Sequence, residues 1–126
     1  MIFCFDLDNT LCTSVRRDHP EDILRVKPLS DNIKIVRELK KKGHKITIFT
    51  RRGELKRGRQ LTKKWLKEYK VPYDKLITKK PKYDLIIDDR AISIYKSNLT
   101  AGKIERQAIG AMKKVDKNLC RFIKEK

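Results

Sequence analysis

An α/β domain with a central parallel sheet is the architecture these 126 residues predict. Two observations carry it. Short runs rich in aromatic and β-branched residues recur at Ile2–Phe5, Lys45–Thr50, Leu76–Thr78 and Leu85–Ile87, and such runs read as buried strands. Helical periodicity fills the gaps between them. Ile33, Val36 and Leu39 form one apolar stripe, and Leu61, Trp65, Leu66 and Tyr69 mark the inner face of a second helix. A strand, a helix and a strand in that order make a right-handed βαβ unit and so a parallel sheet.

The first strand sets the reading of the rest. Ile2 to Phe5 stops at Asp6, Asp8 follows, and Asn9-Thr10 turns the chain. Residues i and i+2 at a strand's end point to the same side, so Asp6 and Asp8 converge beyond its carboxyl end. In open α/β sheets that crevice is where ligands bind. Two close carboxylates raise each other's pKa unless a cation sits between them. The pair therefore points to a hard divalent metal held by oxygen ligands; the plainer alternative is a turn with a capping residue.

Residues 12–29 are polar, lack a clear period and include Arg16, Arg17, His19 and Pro20. Ser30 reads as an N-cap with Asp31 in the first turn. Lys40-Lys41-Lys42 complement the helix C-terminus, and Gly43 closes it. After Thr50 comes the basic stretch 51–60, with Arg51, Arg52, Arg57 and Arg59. Arginine suits phosphate because its planar fork donates two parallel hydrogen bonds; a solvated loop and helix start is the other reading. Trp65 reads as core. Lys79, Lys80 and Lys82 follow the third strand, and the fourth ends at Asp88-Asp89. Ile104, Ala108, Met112, Val115, Leu119 and Phe122 then mark an amphipathic helix over 103–125. It either packs on the domain or forms a homodimer seam.

Composition sets outer limits. The length suits one domain over 1–126. No run approaches the ~20 apolar residues of a membrane span, and the first apolar run lacks the charged region of a leader. The three cysteines have no metal-ligand spacing. They read as reduced thiols, which predicts a cytoplasmic setting, with Cys4 in the core and Cys12 near the site without a nucleophilic role. The net charge of +17 admits a nucleic-acid partner. Twenty-two lysines against eleven arginines, spread along the whole chain, also fit a simple compositional bias.

Four segments together resemble the haloacid dehalogenase-like (HAD) phosphohydrolases, over about residues 1–97. They are Asp6-Leu7-Asp8-Asn9-Thr10 after a strand, Thr50 ending a strand, Lys80 in Lys79-Lys80-Pro81, and Asp88-Asp89 after a strand. The small phosphatases of capsule polysaccharide biosynthesis look closer still. Their pattern is similar to Lys27-Pro28, Gly43-His44, Thr62 to Leu66, Val71 to Asp74 and Asp88 to Ala91. The phosphatase domain of bacteriophage polynucleotide kinase has a similar Thr-x-x-x-Trp helix and Asp-Asp-Arg end. The resemblance implies a Rossmann-like domain with minimal or no cap, residues 12–29 taking the place where the related phosphatases hold a small flap or an inserted cap and being too few for a folded cap. It implies Mg²⁺-dependent hydrolysis of a phosphomonoester through an aspartyl-phosphate. Asp6 would be the nucleophile, Asp8 the acid and base, and Thr50 a phosphoryl ligand. Lys80 would neutralise charge, with Lys79 and Lys82 as substitutes. Asp6, Asp8, Asp88 and Asp89 would hold the metal, and sequence leaves open which of the last two touches it. Arg51 and Arg52 would bind substrate beside Thr50 and Lys80. The capsule-type pattern implies a phosphorylated small molecule such as a sugar phosphate; a 3′-phosphorylated nucleic-acid end is the alternative, and a basic nucleic-acid-binding protein with a vestigial site the third.

Overall fold

The computed structural model describes residues 1–15, 18–94 and 98–124, with side chains as far as Lys113. Its elements run β1 (Ile2–Asp6), a 3-10 turn (Pro20–Leu24), α1 (Ser30–Lys41), β2 (Lys45–Phe49), a second 3-10 turn (Arg52–Glu54), α2 (Gly58–Glu68), β3 (Lys75–Ile77) and α3 (Ala101–Lys124). This is a Rossmann-like α/β fold. Its parallel sheet has the order β1-β2-β3, and α3 is the C-terminal helix. The chain forms two compact units, residues 1–83 and 84–126.

In the first unit α1 packs on β2 and α2 packs on the two 3-10 turns, each with the stripe its periodicity marks. Ile33, Val36 and Leu39 of α1 are buried, as are Trp65 and Leu66 of α2, around the fully excluded Ile46 and Ile48 of β2. Gly43 ends α1's connection in the left-handed region at φ +90°, which costs glycine little. Ser30 is the first helical residue and Leu29 holds the cap position, with no side-chain cap. The start of α1 is instead tied to the turn after β1, because Asn32 Nδ2 donates to the Thr10 carbonyl at 2.8 Å.

The polar-looking stretch after β1 is firmly anchored. Ile23 and Val26 are buried. Trp65 donates its indole N–H to the Val26 carbonyl at 3.1 Å, and Thr13 and Lys27 pair through their backbones at 2.9 Å. Two apolar residues and one indole do this work, too few to show as a period. Arg16 and Arg17 lie outside the described residues.

Beside the cap of α1, three further expectations are corrected. Cys4 is exposed rather than in the core. Alternation along β1 puts Ile2 and Cys4 on one face and Phe3 and Phe5 on the other, and Phe5 is the buried one. Leu85–Ile87 is not a strand: the three residues are irregular and exposed, Ile87 to 91%. Strand propensity reflects fit to a pleated, half-buried surface, and no ladder among the described residues includes them. The Asp88 carboxylate there accepts the Arg90 N–H at 3.1 Å, a local bond that competes with strand pairing. Finally, α3 begins two residues before the predicted start. Thr100 Oγ1 accepts the Lys103 N–H at 3.2 Å, a cap the apolar seam does not announce. Ile104 is buried and Met112 exposed; the side chains of Val115, Leu119 and Phe122 are outside the described ones.

At the sheet's other end Asp74 joins β2 to α1. Its carboxylate accepts from Lys40 Nζ at 2.6 Å and from the Ile46 N–H at 2.8 Å. The Lys40 bond first, and the Ile46 bond second, hold its pKa below the usual carboxylate value. A depressed folded pKa stabilises above the unfolded value, about 3.9, and that stability is lost as pH falls through the folded one. Asp74→Asn is therefore expected to lower the melting temperature by a constant amount between pH 7 and 5. The gap should close below about pH 4, as followed by circular dichroism.

Candidate active site

Register brings the polar residues to one edge. Asp6 stands opposite Phe49, and Phe49 opposite Ile77, so the residues after each strand emerge side by side. Backbone bonds lace them. The Thr50 N–H donates to Ile77 O at 2.9 Å, Lys80 N–H to Thr50 O at 3.2 Å and Gly53 N–H to Thr78 O at 3.0 Å. The turn after β1 is equally fixed. The amides of Thr10, Leu11 and Cys12 converge on the Leu7 carbonyl. Asn9 sits in the left-handed region at φ +61°, where asparagine is among the better-tolerated residues.

Lys80 reaches Asp6. Its ammonium lies 3.1 Å from Asp6 Oδ1, with the lysine side chain 10% exposed and the aspartate 40%. It also sits over the Tyr83 ring at 4.9 Å and the Phe49 ring at 5.6 Å. Burial disfavours its charge, but hydrogen bonds to Tyr83 and Asp6 outweigh this and hold its pKa above the ordinary lysine value. Lys79 and Lys82 are exposed, so of the three candidates Lys80 is the one paired with Asp6.

Asp8 is held from the other strand. Arg52 Nη2 lies 2.8 Å from Asp8 Oδ1, and Nε lies 3.3 Å from both carboxylate oxygens. The arginine is 1% exposed, so it faces inward. Its Nη2 also donates to Cys12 Sγ at 3.0 Å. Burial pushes the Cys12 thiol up to about 12 against the pull of Arg52's charge. A thiol kept protonated is no nucleophile, as its lack of a histidine partner led us to expect.

Thr50 is buried, and its Oγ1 accepts the Arg52 N–H at 3.3 Å, leaving the hydroxyl's own proton to donate. The other arginines are spoken for or outward. Arg51 pairs with Glu54 at 3.0 Å. Arg59 donates to Leu76 O at 3.0 Å. Arg57 is exposed, in the left-handed region at φ +55°. Asp88 and Asp89 are exposed members of the 84–126 unit, and the Arg90 N–H, followed by Asp89, holds the Asp88 pKa below the usual value.

Asp6 and Asp8 supply hard oxygen donors suited to Mg²⁺, which keeps several waters and takes one or two carboxylates. Among the described residues no group of three or more His, Cys, Asp or Glu converges. No helix among them is long and apolar enough to cross a membrane.

The inward turn of Arg52 is the feature the sequence did not disclose. Its signal is a pair of glycines. A Cβ on Gly58 would lie 1.7 Å from the Arg52 carbonyl oxygen, and one on Gly53 would lie 2.3 Å from that of Thr78. Both glycines permit backbone approaches that no other residue allows.

No protein-family model and no curated protein matches the chain. Solved structures do. A crystal structure of an MCSG target from Vibrio cholerae aligns with a TM-score of 0.65 at 24% identity, covering 86% of this chain and 97% of that one. A chain of the Pnkp1/Rnl/Hen1 complex aligns with a TM-score of 0.50 at 20% identity, covering 60% of this chain and 26% of that one. At these identities the likeness is one of fold.

Gly58→Ala should force the Arg52 backbone away and destabilise the protein by about 1–3 kcal/mol in urea unfolding. Gly110→Ala in α3, with open space around it, should be neutral or slightly stabilising.

Proposed function

We propose that this protein is a Mg²⁺-dependent phosphomonoester hydrolase working through an aspartyl-phosphate, on a sugar phosphate or similar small metabolite. The supporting observation is the Lys80 ammonium 3.1 Å from Asp6 Oδ1. With a second carboxylate two residues on, it is a charge arrangement suited to phosphoryl transfer, which needs positioning and neutralisation above all.

Asp6 attacks phosphorus through a carboxylate oxygen, and the bond from phosphorus to the leaving oxygen breaks. Asp8 gives that oxygen a proton, then takes one from the water that attacks the aspartyl-phosphate. Phosphate leaves and Asp6 is restored. Lys80 balances the charge on Asp6 and the phosphoryl group, and the Thr50 hydroxyl donates to a phosphoryl oxygen. Asp6 and Asp8 would hold Mg²⁺, and the ion would supply charge neutralisation on the phosphoryl oxygens when bound.

A second reading, hydrolysis of a 3′-phosphate at a nucleic-acid end, has its own support. The stretch 12–29 is only about eighteen residues long, short for a folded cap, the net charge is +17, and a Pnkp1/Rnl/Hen1 chain shares the fold.

Hydrolysis of an aryl phosphate should stop on chelation and return with Mg²⁺. Asp6→Asn should cost roughly three orders of magnitude or more in turnover, and Asp8→Asn should accumulate phosphate on Asp6. Metal-independent turnover, or phosphate on another residue, would refute the mechanism. A salt series separates the substrates. A hexose phosphate should show shallow dependence. A polynucleotide substrate would show a log-log slope of roughly −0.7 per phosphate contacted, and efficient turnover of a 3′-phosphorylated oligonucleotide would make the second reading the right one.

A further inference from the structure

We propose that Arg52 is a positioning residue: it fixes the carboxylate plane of Asp8 and selects Oδ2 as the oxygen presented to the reacting atoms. This rests on the reading of Asp8 as the proton-transfer group, and it gives Arg52 a different task from binding substrate.

A ligand for a phosphorylated substrate must reach solvent, and Arg52 is 1% exposed while its partner Asp8 is 25% exposed. The guanidinium therefore lies behind the carboxylate. Its contacts are unequal. Oδ1 takes Nη2 at 2.8 Å and Nε at 3.3 Å, whereas Oδ2 takes only Nε, at 3.3 Å. Oδ2 is thus the oxygen with more accepting capacity left. The terminal torsion of an aspartate is broad and roughly two-fold, so an unheld carboxylate would exchange its oxygens. A planar fork on one side prevents this.

The fork is itself held. The Arg52 N–H donates to Thr50 Oγ1 at 3.3 Å. Gly58 packs against the Arg52 carbonyl so closely that a Cβ would overlap it, and Nη2 is steadied by Cys12 Sγ at 3.0 Å. The arrangement is a costly one for stability alone. Arg52 Nη1 is buried without a hydrogen-bond partner among the described residues, and buried ion pairs often return less than their desolvation costs. Orientation of a reacting group accounts for what stability does not.

The test compares Arg52→Lys and Arg52→Ala with the wild type on an aryl phosphate. Arg52→Lys keeps a cation but not the fork. It should lower kcat about 10- to 100-fold, as small misplacements of reacting groups do, with KM within about twofold. Added guanidinium should restore part of the lost kcat of Arg52→Ala. A readout without metal or substrate accompanies these: unfolding midpoints, in chelator, of Arg52→Lys, Asp8→Asn and the double variant should be strongly non-additive. The cycle uses the lysine variant, so it stands even where Arg52→Ala fails to fold. A raised KM with kcat retained would make Arg52 a substrate ligand and overturn the proposal, as would additive midpoints. Unchanged turnover in Asp6→Asn would instead refute the phosphatase reading, a failure distinct from that of Arg52.

Discussion

Parallel pairing in one register is the constraint on which the rest depends. Asp6, Phe49 and Ile77 stand in a row, so the three chains leave the sheet together. Thr50, Thr78 and Lys80 are then within backbone hydrogen-bond reach of one another or of the strand ends. Parallel ladders put like ends side by side. A chain that places its polar residues just after each strand thereby gathers them without any long-range recognition. The chains that leave β2 and β3 are tied to each other, Thr50 to Ile77, Lys80 to Thr50 and Gly53 to Thr78.

Two ion pairs of different character sit on that edge. Lys80 approaches Asp6 from the half-open side, stacked on Phe49 and Tyr83. Arg52 approaches Asp8 from within. One cation thus remains near the aspartate that is open to solvent, and the other braces the aspartate beside it. Lysine is a compact point charge on a flexible stem, while arginine is a flat fork. Each residue type suits its place.

The first three strands, helices α1 and α2 and the buried tryptophan were legible because each rests on local pattern, apolar runs and helical spacing, whereas Lys80 beside Asp6 was expected only from the family resemblance. Four features were not legible. Cys4 was misplaced because a short apolar run does not say which of its faces is covered. Leu85–Ile87 carries the composition of a strand, yet composition supplies no ladder partner. The inward turn of Arg52 depends on a contact with a residue 44 positions away, and a basic stretch looks the same whether its side chains point out or in. The contribution of residues 18–29 escaped notice because Ile23 and Val26 are too few to make a period. The seam of α3 beyond Lys113 lies outside the described side chains.

The bond between Trp65 and Val26 has an optical consequence. The chain holds one tryptophan. It is fully buried, and its indole N–H is bound to a carbonyl of the segment that follows β1. Tryptophan emission, excited apart from that of the four tyrosines, therefore comes from a single indole whose polar edge rests on that segment. Lifting residues 18–29 from α2 would expose the ring to water and shift the colour of its fluorescence, with no label attached. The protein carries a built-in gauge of whether the wall beside its candidate site is in place.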